Sequence, residues 1–296
     1  KRKTIMAISS LNDLIAAGSL GKTNRYDFQK ITGGVAYTAN RWYDMAGLNG
    51  NPVATAYPGT AKAFVNTSDA TGDGTNKFGI PHGGNVSADV KHLITASLVS
   101  AVATAVPAVV MFVDMVGYWP GVDMNVLTSQ ALTGTPSLTR YANGAGLRMF
   151  LTARATTGAT AHNLSYSYTN QSATSGRVNP VTVSCTASAI VPHIVHSGSA
   201  ANNYGPFLPL AAGDTGIQNV ASVQLSAASG TASTAALVLC RPLFTIPIAI
   251  AGLATEKDFL NQFPSLPKIP DGACITPLIF TGAALAVNTT IMGSVE

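Results

Sequence analysis

The chain has 296 residues, of which 17 are Lys or Arg and 13 are Asp or Glu, so 10% carry a charge against about 25% in an ordinary soluble domain. With 47% hydrophobic residues it is too apolar for a disordered chain, and with 28 Gly, 16 Pro and two Glu among its acids it is poor in helix formers and rich in turn formers. The formal charge of +4 comes largely from Lys1, Arg2 and Lys3, which leaves the body near neutral and argues against nucleic acid as a partner.

Ser10-Leu-Asn-Asp13 reads as a capping sequence, Leu11, Leu14 and Ile15 share one helical face, and Gly18 is a stop, so a short helix is expected over residues 11–17. From Gly47 to Asn85 the chain is dense in Gly, Pro, Thr, Asn and Ala without period-two alternation, which predicts an irregular arm hugging a neighbour, with short strands near Lys62–Val65. Leu93–Val113 is an uncharged run of bilayer-spanning length. Its Ser and Thr residues, Pro107 and the Val-rich second half favour two buried strands joined by a small-residue turn.

Strand signals then recur at His92–Val99, Ala108–Met115, Gly146–Arg154, Ala161–Thr169, Arg177–Thr186, Ile190–His196, Gln218–Ser226 and Ala235–Leu239. Leu164-Ser-Tyr-Ser-Tyr168 shows the alternation of a half-buried strand. The expected fold is all-β, a β-sandwich of jelly-roll type with one short N-terminal helix and extended arms. The organisation read from composition is a tail and helix over 1–20, an irregular arm over 21–91, a sandwich core over 92–243, and a proline-rich tail with terminal strands over 244–296. Leu98–Pro120 and Leu225–Pro247 echo each other: both pass from a Ser/Ala/Thr run into an apolar strand ending at Pro. Biased composition accounts for the shared residues as well as duplication does.

Motifs for chemistry are weak. Ala16–Thr23 (AAGSLGKT) lacks a glycine of a phosphate loop and has its helix on the wrong side. Asp69-Ala-Thr-Gly-Asp-Gly74 starts like a calcium loop, but Ile80 stands where the closing acid belongs. His193 and His196 lie on opposite faces if their segment is a strand, with no Cys or carboxylate near in sequence. No nucleophile elbow occurs around Gly198, and a glycosidase pair would have to come from Asp114, Asp123 or Asp214. These readings predict no enzyme, no cofactor and no metal. Cys185, Cys240 and Cys274 form no paired framework and read as free, buried thiols of a reducing compartment. Between Arg154 and Asp214 the one full charge is Arg177, so that surface is expected to be covered by assembly. Interface anchors expected from residue type are Tyr118 and Trp119, then Arg140, Tyr141 and Arg177.

Several stretches, in order, carry a resemblance: Met6-Ala-Ile-Ser-Ser before the helix, Thr55-Ala-Tyr-Pro-Gly-Thr-Ala61, Val113-Asp-Met-Val-Gly-Tyr-Trp-Pro-Gly-Val-Asp123, Leu138-Thr-Arg-Tyr-Ala-Asn-Gly-Ala-Gly146, Tyr166-Ser-Tyr-Thr-Asn-Gln171, Ser175-Gly-Arg177, Gly205–Gly216 and Val220-Ala-Ser-Val223. Together they resemble a family of tailed-bacteriophage virion structural proteins, of capsid decoration or cement type. The resemblance implies a head-associated protein in the virion, assembled in the host cytoplasm, that binds the major capsid protein, bridges capsomers and self-associates, with a trimer favoured and no membrane. It does not extend to the last 50 residues. A collar or tail component and a receptor- or glycan-binding β-sandwich are the alternatives.

Overall fold

The computed structural model describes residues 8, 10–54, 57, 62–63, 79–101, 106–136, 138, 140–198, 205–261 and 266–296. Among them are one α-helix, α1 (Leu11–Ser19), and eighteen strands. In chain order the strands are β1 (Tyr26–Ile31), β2 (Arg41–Asp44), β3 (Asn49–Asn51), β4 (Lys62–Ala63), β5 (Lys91–His92), β6 (Thr95–Ser100), β7 (Ala108–Asp123), β8 (Gln130–Ala131) and β9 (Arg148–Ala153). There follow β10 (His162–Asn170), β11 (Arg177–Val178), β12 (Val183–Cys185), β13 (Ile217–Leu225), β14 (Thr234–Ile248), β15 (Thr255–Asp258), β16 (Lys268–Ile269), β17 (Ile275–Thr281) and β18 (Thr290–Val295). The fold is all-β and sandwich-like, as the composition predicts.

The central sheet runs β2-β17-β7-β14-β9. Residues 192–195 then join its two ends: the Asp44 N–H donates to the Pro192 carbonyl at 3.0 Å and the Ile194 N–H to that of Trp42 at 3.0 Å, while the Ala153 N–H donates to His193 and the Val195 N–H to Leu151, both at 2.9 Å. The sheet is thereby closed into a barrel, its two end strands β2 and β9 both bonded to 192–195. Inside it lie Trp42, Val113, Met115, Tyr118, Phe150, Ile194, Val238 and Leu278.

Two further sheets pack on its outside. One, β15-β6-β18-β1-β3, buries Phe28, Leu98, Ile291 and Val295 against Val110, Phe112, Ile246 and Ile279. The other, β11-β10-β13-β8 with β12 beside β10, buries Leu164, Tyr166, Val223 and Leu225 against Trp119, Leu151, Leu237 and Leu239. We call these halves lobe 1 and lobe 2. The strands β7 and β14 run through both; over Phe112–Trp119 and Ala235–Cys240 both faces are buried and the chain is largely apolar, whereas burial alternates over Ala108–Met111 and Phe244–Ile248. In β10 one face meets barrel and the other solvent, so Leu164, Tyr166 and Tyr168 are buried while Ser165 is exposed. Gly293 sits in β18 between β6 and β1, where an added Cβ would collide with the Ser97 carbonyl and with Leu98.

The run Leu93–Val113 forms two strands, as its Ser, Thr and Pro107 predict, β6 and the start of β7, in different sheets, and no helix among the described residues is long and apolar enough to cross a membrane. Other expectations change. Segment 190–196 is a turn-bounded bridge rather than a strand. The segment 244–296 is no tail: β17 and β18 are interior strands whose Ile275, Leu278, Ile279 and Ile291 are fully buried. Pro242 is accommodated within β14 next to a register shift at Leu243, and Pro247 is exposed one residue from the strand's end. The described part of the 47–85 arm folds back on its own body, with Tyr57 and Ile80 buried.

Candidate functional site

Tyr118 and Trp119, expected as interface anchors, lie inside the protein. They are neighbours on β7, so their side chains point to opposite faces. Tyr118 enters the barrel and meets the Tyr57 ring edge-on at 5.3 Å, and Trp119 fills the core of lobe 2, where its Nε1–H donates to the Gly134 carbonyl at 2.6 Å. A direct contact with a partner needs a side chain at the surface, and neither residue supplies one.

Arg140 is buried as well. Its guanidinium holds Asp114 through Nε at 2.7 Å and Nη2 at 2.6 Å, and also donates to the Met115 carbonyl. The Asp114 carboxylate completes its shell with the Cys274 N–H at 2.8 Å. Burial alone would lower the Arg140 pKa, and the hydrogen bonds and charge of Asp114 outweigh it. Tyr141 stands at φ +55° beside this pair, with Arg241 over its ring at 5.4 Å. Tyr141 and Arg177 are the half-buried members of the set, Arg177 with its side chain 32% exposed. It binds Asp214 at 2.8 Å, and Asp214 also accepts from Tyr168 Oη at 2.6 Å and Asn170 Nδ2 at 2.7 Å. Burial opposes ionisation of Asp214, yet these donors hold its carboxyl down at about 2. The five residues therefore divide between barrel, lobe 2 core, an internal ion pair and a surface ion pair, and form no common patch.

The other candidates are equally dispersed. Ala16–Ser19 is helical and the chain after it leads into β1, so no phosphate cradle forms. The calcium-like stretch 69–74 lies outside the described residues. Asp114 and Asp214 are consumed by Arg140 and Arg177, and Asp123 caps the turn after β7 by accepting from Asn125 N–H at 2.8 Å. His193 and His196 are fully buried; His193 Nε2 meets the Ser197 carbonyl at 3.1 Å. Burial pushes both imidazoles down to about 3, helped by Arg41 for His193 and by His193 for His196, so they are neutral at pH 7. Among the described residues no group of three His, Cys, Asp or Glu side chains is placed to hold a metal.

Two polar clusters escaped the reading of residue types. Lys30 is buried, with Nζ on the carbonyls of Leu48 at 3.2 Å and Pro52 at 2.7 Å; burial lowers its pKa to about 8 against the pull of Asp44. Asp44 accepts from Ala46 N–H at 2.9 Å and from Tyr57 Oη, and burial raises it to about 6 despite those bonds. The signal was present in Phe28 and Lys30, two apart on one strand and therefore on one face. The second cluster joins Lys91 Nζ to His82 Nδ1 at 3.1 Å, Asp271 Oδ1 at 3.0 Å and the Gly84 carbonyl at 3.0 Å, with His82 Nε2 on the Ala273 carbonyl at 2.7 Å. It lies between a cavity of about 870 Å³ and one of about 580 Å³. The Lys91–Asp271 and His82–Ala273 contacts fasten segment 82–91 to 271–273, so the cluster acts as a clamp.

Set against known proteins, the chain matches no family model, no curated protein and no solved structure.

The remaining surface is distinctive in two places. None of the side chains of α1 is buried, although Ser10 Oγ caps it by accepting from Asp13 N–H at 3.2 Å, and Leu11, Ile15 and Leu20 are each at least 60% exposed. Lobe 2 exposes Val178, Val181 and Leu127 on a surface whose one charge over 155–213, Arg177, is already neutralised by Asp214.

Proposed function

We propose that the chain is a structural protein of a tailed-phage virion, a decoration or cement protein that binds the major capsid protein on the outer shell and bridges capsomers. The observation that carries this reading is the neutral surface of lobe 2. A particle-forming surface must be brought against others many times over, and a patch with its single charge paired internally sets no Coulomb barrier to that contact. Exposed Val178, Val181 and Leu127 supply apolar area there, and α1 offers a second, with Leu11, Ile15 and Leu20 turned away from the body. The internal placement of Asp114, Arg140, His193 and His196 fits a role without chemistry, since each satisfies or fills the interior rather than facing a cleft. The resemblance to virion structural proteins supplies the setting, and self-association into trimers at the shell belongs to the same proposal.

The test is the copy number of the chain per purified virion, measured by quantitative mass spectrometry against the major capsid protein. A ratio of order one supports a shell-covering protein. A handful of copies moves it to a collar or tail, and absence from the particle together with retention on a glycan array makes it a carbohydrate-binding β-sandwich.

A further inference from the structure

The faint echo between Leu98–Pro120 and Leu225–Pro247 becomes a rule when strand pairing is compared. Moving β8 forward and β13 back by 127 positions turns the pairs Gln130↔Val223 and Ala131↔Ser222 into Lys257↔Ala96 and Asp258↔Thr95, the pairs by which β15 meets β6. Within the β7–β14 ladder the same step turns Trp119↔Leu237, Tyr118↔Val238, Gly117↔Leu239 and Met115↔Cys240 into Ile246↔Val110, Thr245↔Met111, Phe244↔Phe112 and Pro242↔Val113, all of them observed. Asp114↔Arg241 maps onto itself. Two of the ladder's three irregularities also correspond, because the skipped residues Val116 and Leu243 are 127 apart; the third, which skips Pro120, Gly121 and Ala236, lies in one copy alone.

The correspondence continues outward with one-residue increments, as loops that gained single residues would produce. With β9 moved forward by 128 and β14 back by 127, the pair Ala153↔Ala235 of β9–β14 becomes Thr281↔Ala108 of β17–β7. With β10 moved forward by 129 and β13 back by 127, Leu164↔Leu225 of β10–β13 becomes Gly293↔Leu98 of β18–β6. Burial agrees: Val110 and Phe112 face lobe 1 where Leu237 and Leu239 face lobe 2, and Phe150 and Leu278 both fill the barrel.

We infer that the chain is a duplicated five-strand module, β6-β7-β8-β9-β10 and β13-β14-β15-β17-β18, whose two copies bind each other by exchanging their first strands about a pseudo-two-fold axis through Asp114 and Arg241. The surface each module fits is therefore the other module, and the molecule is a two-fold pair in one chain. Lobe 1 takes β6 from the first module and β15 and β18 from the second; lobe 2 takes β13 from the second and β8 and β10 from the first. The segments β1 to β4, α1 and residues 171–216 are additions around this pair. Sequence identity is low because what the axis preserves is register and burial, which Val and Leu, or Phe and Leu, satisfy alike.

The test uses the full chain with a site-specific protease sequence inserted between Ala212 and Gly213, both exposed and between the modules. After cleavage, fragments 1–212 and 213–296 are expected to co-elute in native buffer at the position of the intact chain, with an unchanged circular dichroism spectrum, and to separate in denaturant. A second version carries the site at the exposed hairpin tip Ser172–Thr174, in case the first insertion disturbs the turn at Asp214. Separation of either cleaved chain into two folded fragments in native buffer overturns strand exchange. So does hydrogen exchange in which Leu237→Ala loosens lobe 2 while leaving β6 and β18 of lobe 1 as protected as before; the inference requires loss in both.

Discussion

Asp114 and Arg241 stand opposite each other in the β7–β14 ladder, yet they do not pair: Asp114 is bound by Arg140, and Arg241 reaches instead to the Ala145 carbonyl at 2.6 Å. The two equivalent positions of the pseudo-axis thus hold opposite charges with separate partners. Gly146 is fixed by this arrangement, since a Cβ there would collide with the Arg241 guanidinium.

The buried ion pair is consequently a point of high sensitivity. Arg140→Met strands the Asp114 carboxylate and should cost about 3–5 kcal/mol, read as a fall in the urea midpoint. Adding Asp114→Leu to the same chain should restore a large part of that loss, because two apolar groups leave no charge uncompensated. A double variant as unstable as the single one would show that the pair's value lies in the Cys274 N–H bond.

Trp119 separates folding from attachment. With its indole in the lobe 2 core, Trp119→Ala should cost about 3–5 kcal/mol and lower the melting temperature of the isolated protein. Under the cement reading, capsid binding by whatever fraction remains folded should be near normal. Wild-type stability with lost attachment would contradict the buried placement.

Surface substitutions should do the reverse. Val178→Asp and Ile15→Asp change exposed side chains and should alter stability by no more than about 0.5 kcal/mol. Under the cement reading each weakens binding to undecorated capsids by roughly tenfold, equivalent to about 1.4 kcal/mol. Unchanged occupancy with both substitutions combined would remove these two surfaces from the interface.

Acid should destabilise the protein well above the range of ordinary carboxylates. His193 and His196 titrate at about 3 when folded and near 6.5 when unfolded, so between those values the unfolded chain binds more protons and stability falls as pH drops. Asp214, held at about 2, adds a loss below pH 3.8. Asp44, raised to about 6, acts in the opposite sense between 3.8 and 6, and the two imidazoles outweigh it. The check is the denaturant midpoint from pH 7 to 4, where His196→Phe should flatten the slope.

All three thiols should be silent in the folded protein. Cys185, Cys240 and Cys274 are buried, and burial raises Cys185 and Cys274 to about 12. A thiolate-dependent reagent should label none in native buffer at pH 8 and three in denaturant.

Much of the architecture was legible where one physical cause acts alone. Alternation located β10 because one face meets solvent, and the Ser10 cap located α1; the helix runs on to Ser19, past Gly18, with Gly21 at φ +66° after it. The interior strands β17 and β18 were obscured because prolines and small residues around them resemble a tail, and their partners β7 and β6 lie far away in sequence. Tyr118 and Trp119 were read as anchors from residue type, but residue type cannot distinguish a protein's own core from an interface core, since both bury aromatic rings. The duplication was hidden for a related reason: composition shows only shared Ala and Pro, whereas the evidence resides in ladder register.

The closure of the barrel also dictates when the protein can exist. Its ring needs β2 near the start of the described chain, the bridge at 192–195 in the middle and β17 at Ile275–Thr281, while lobe 1 waits for β18 at Thr290–Val295. A ribosome must therefore release β14 before lobe 2 can be completed and nearly all of these residues before the barrel and lobe 1 can be, and until then β6 and most of β7 lack their strand neighbours. The hazard of such a chain lies in the nascent state, where strands that the finished fold pairs are still open.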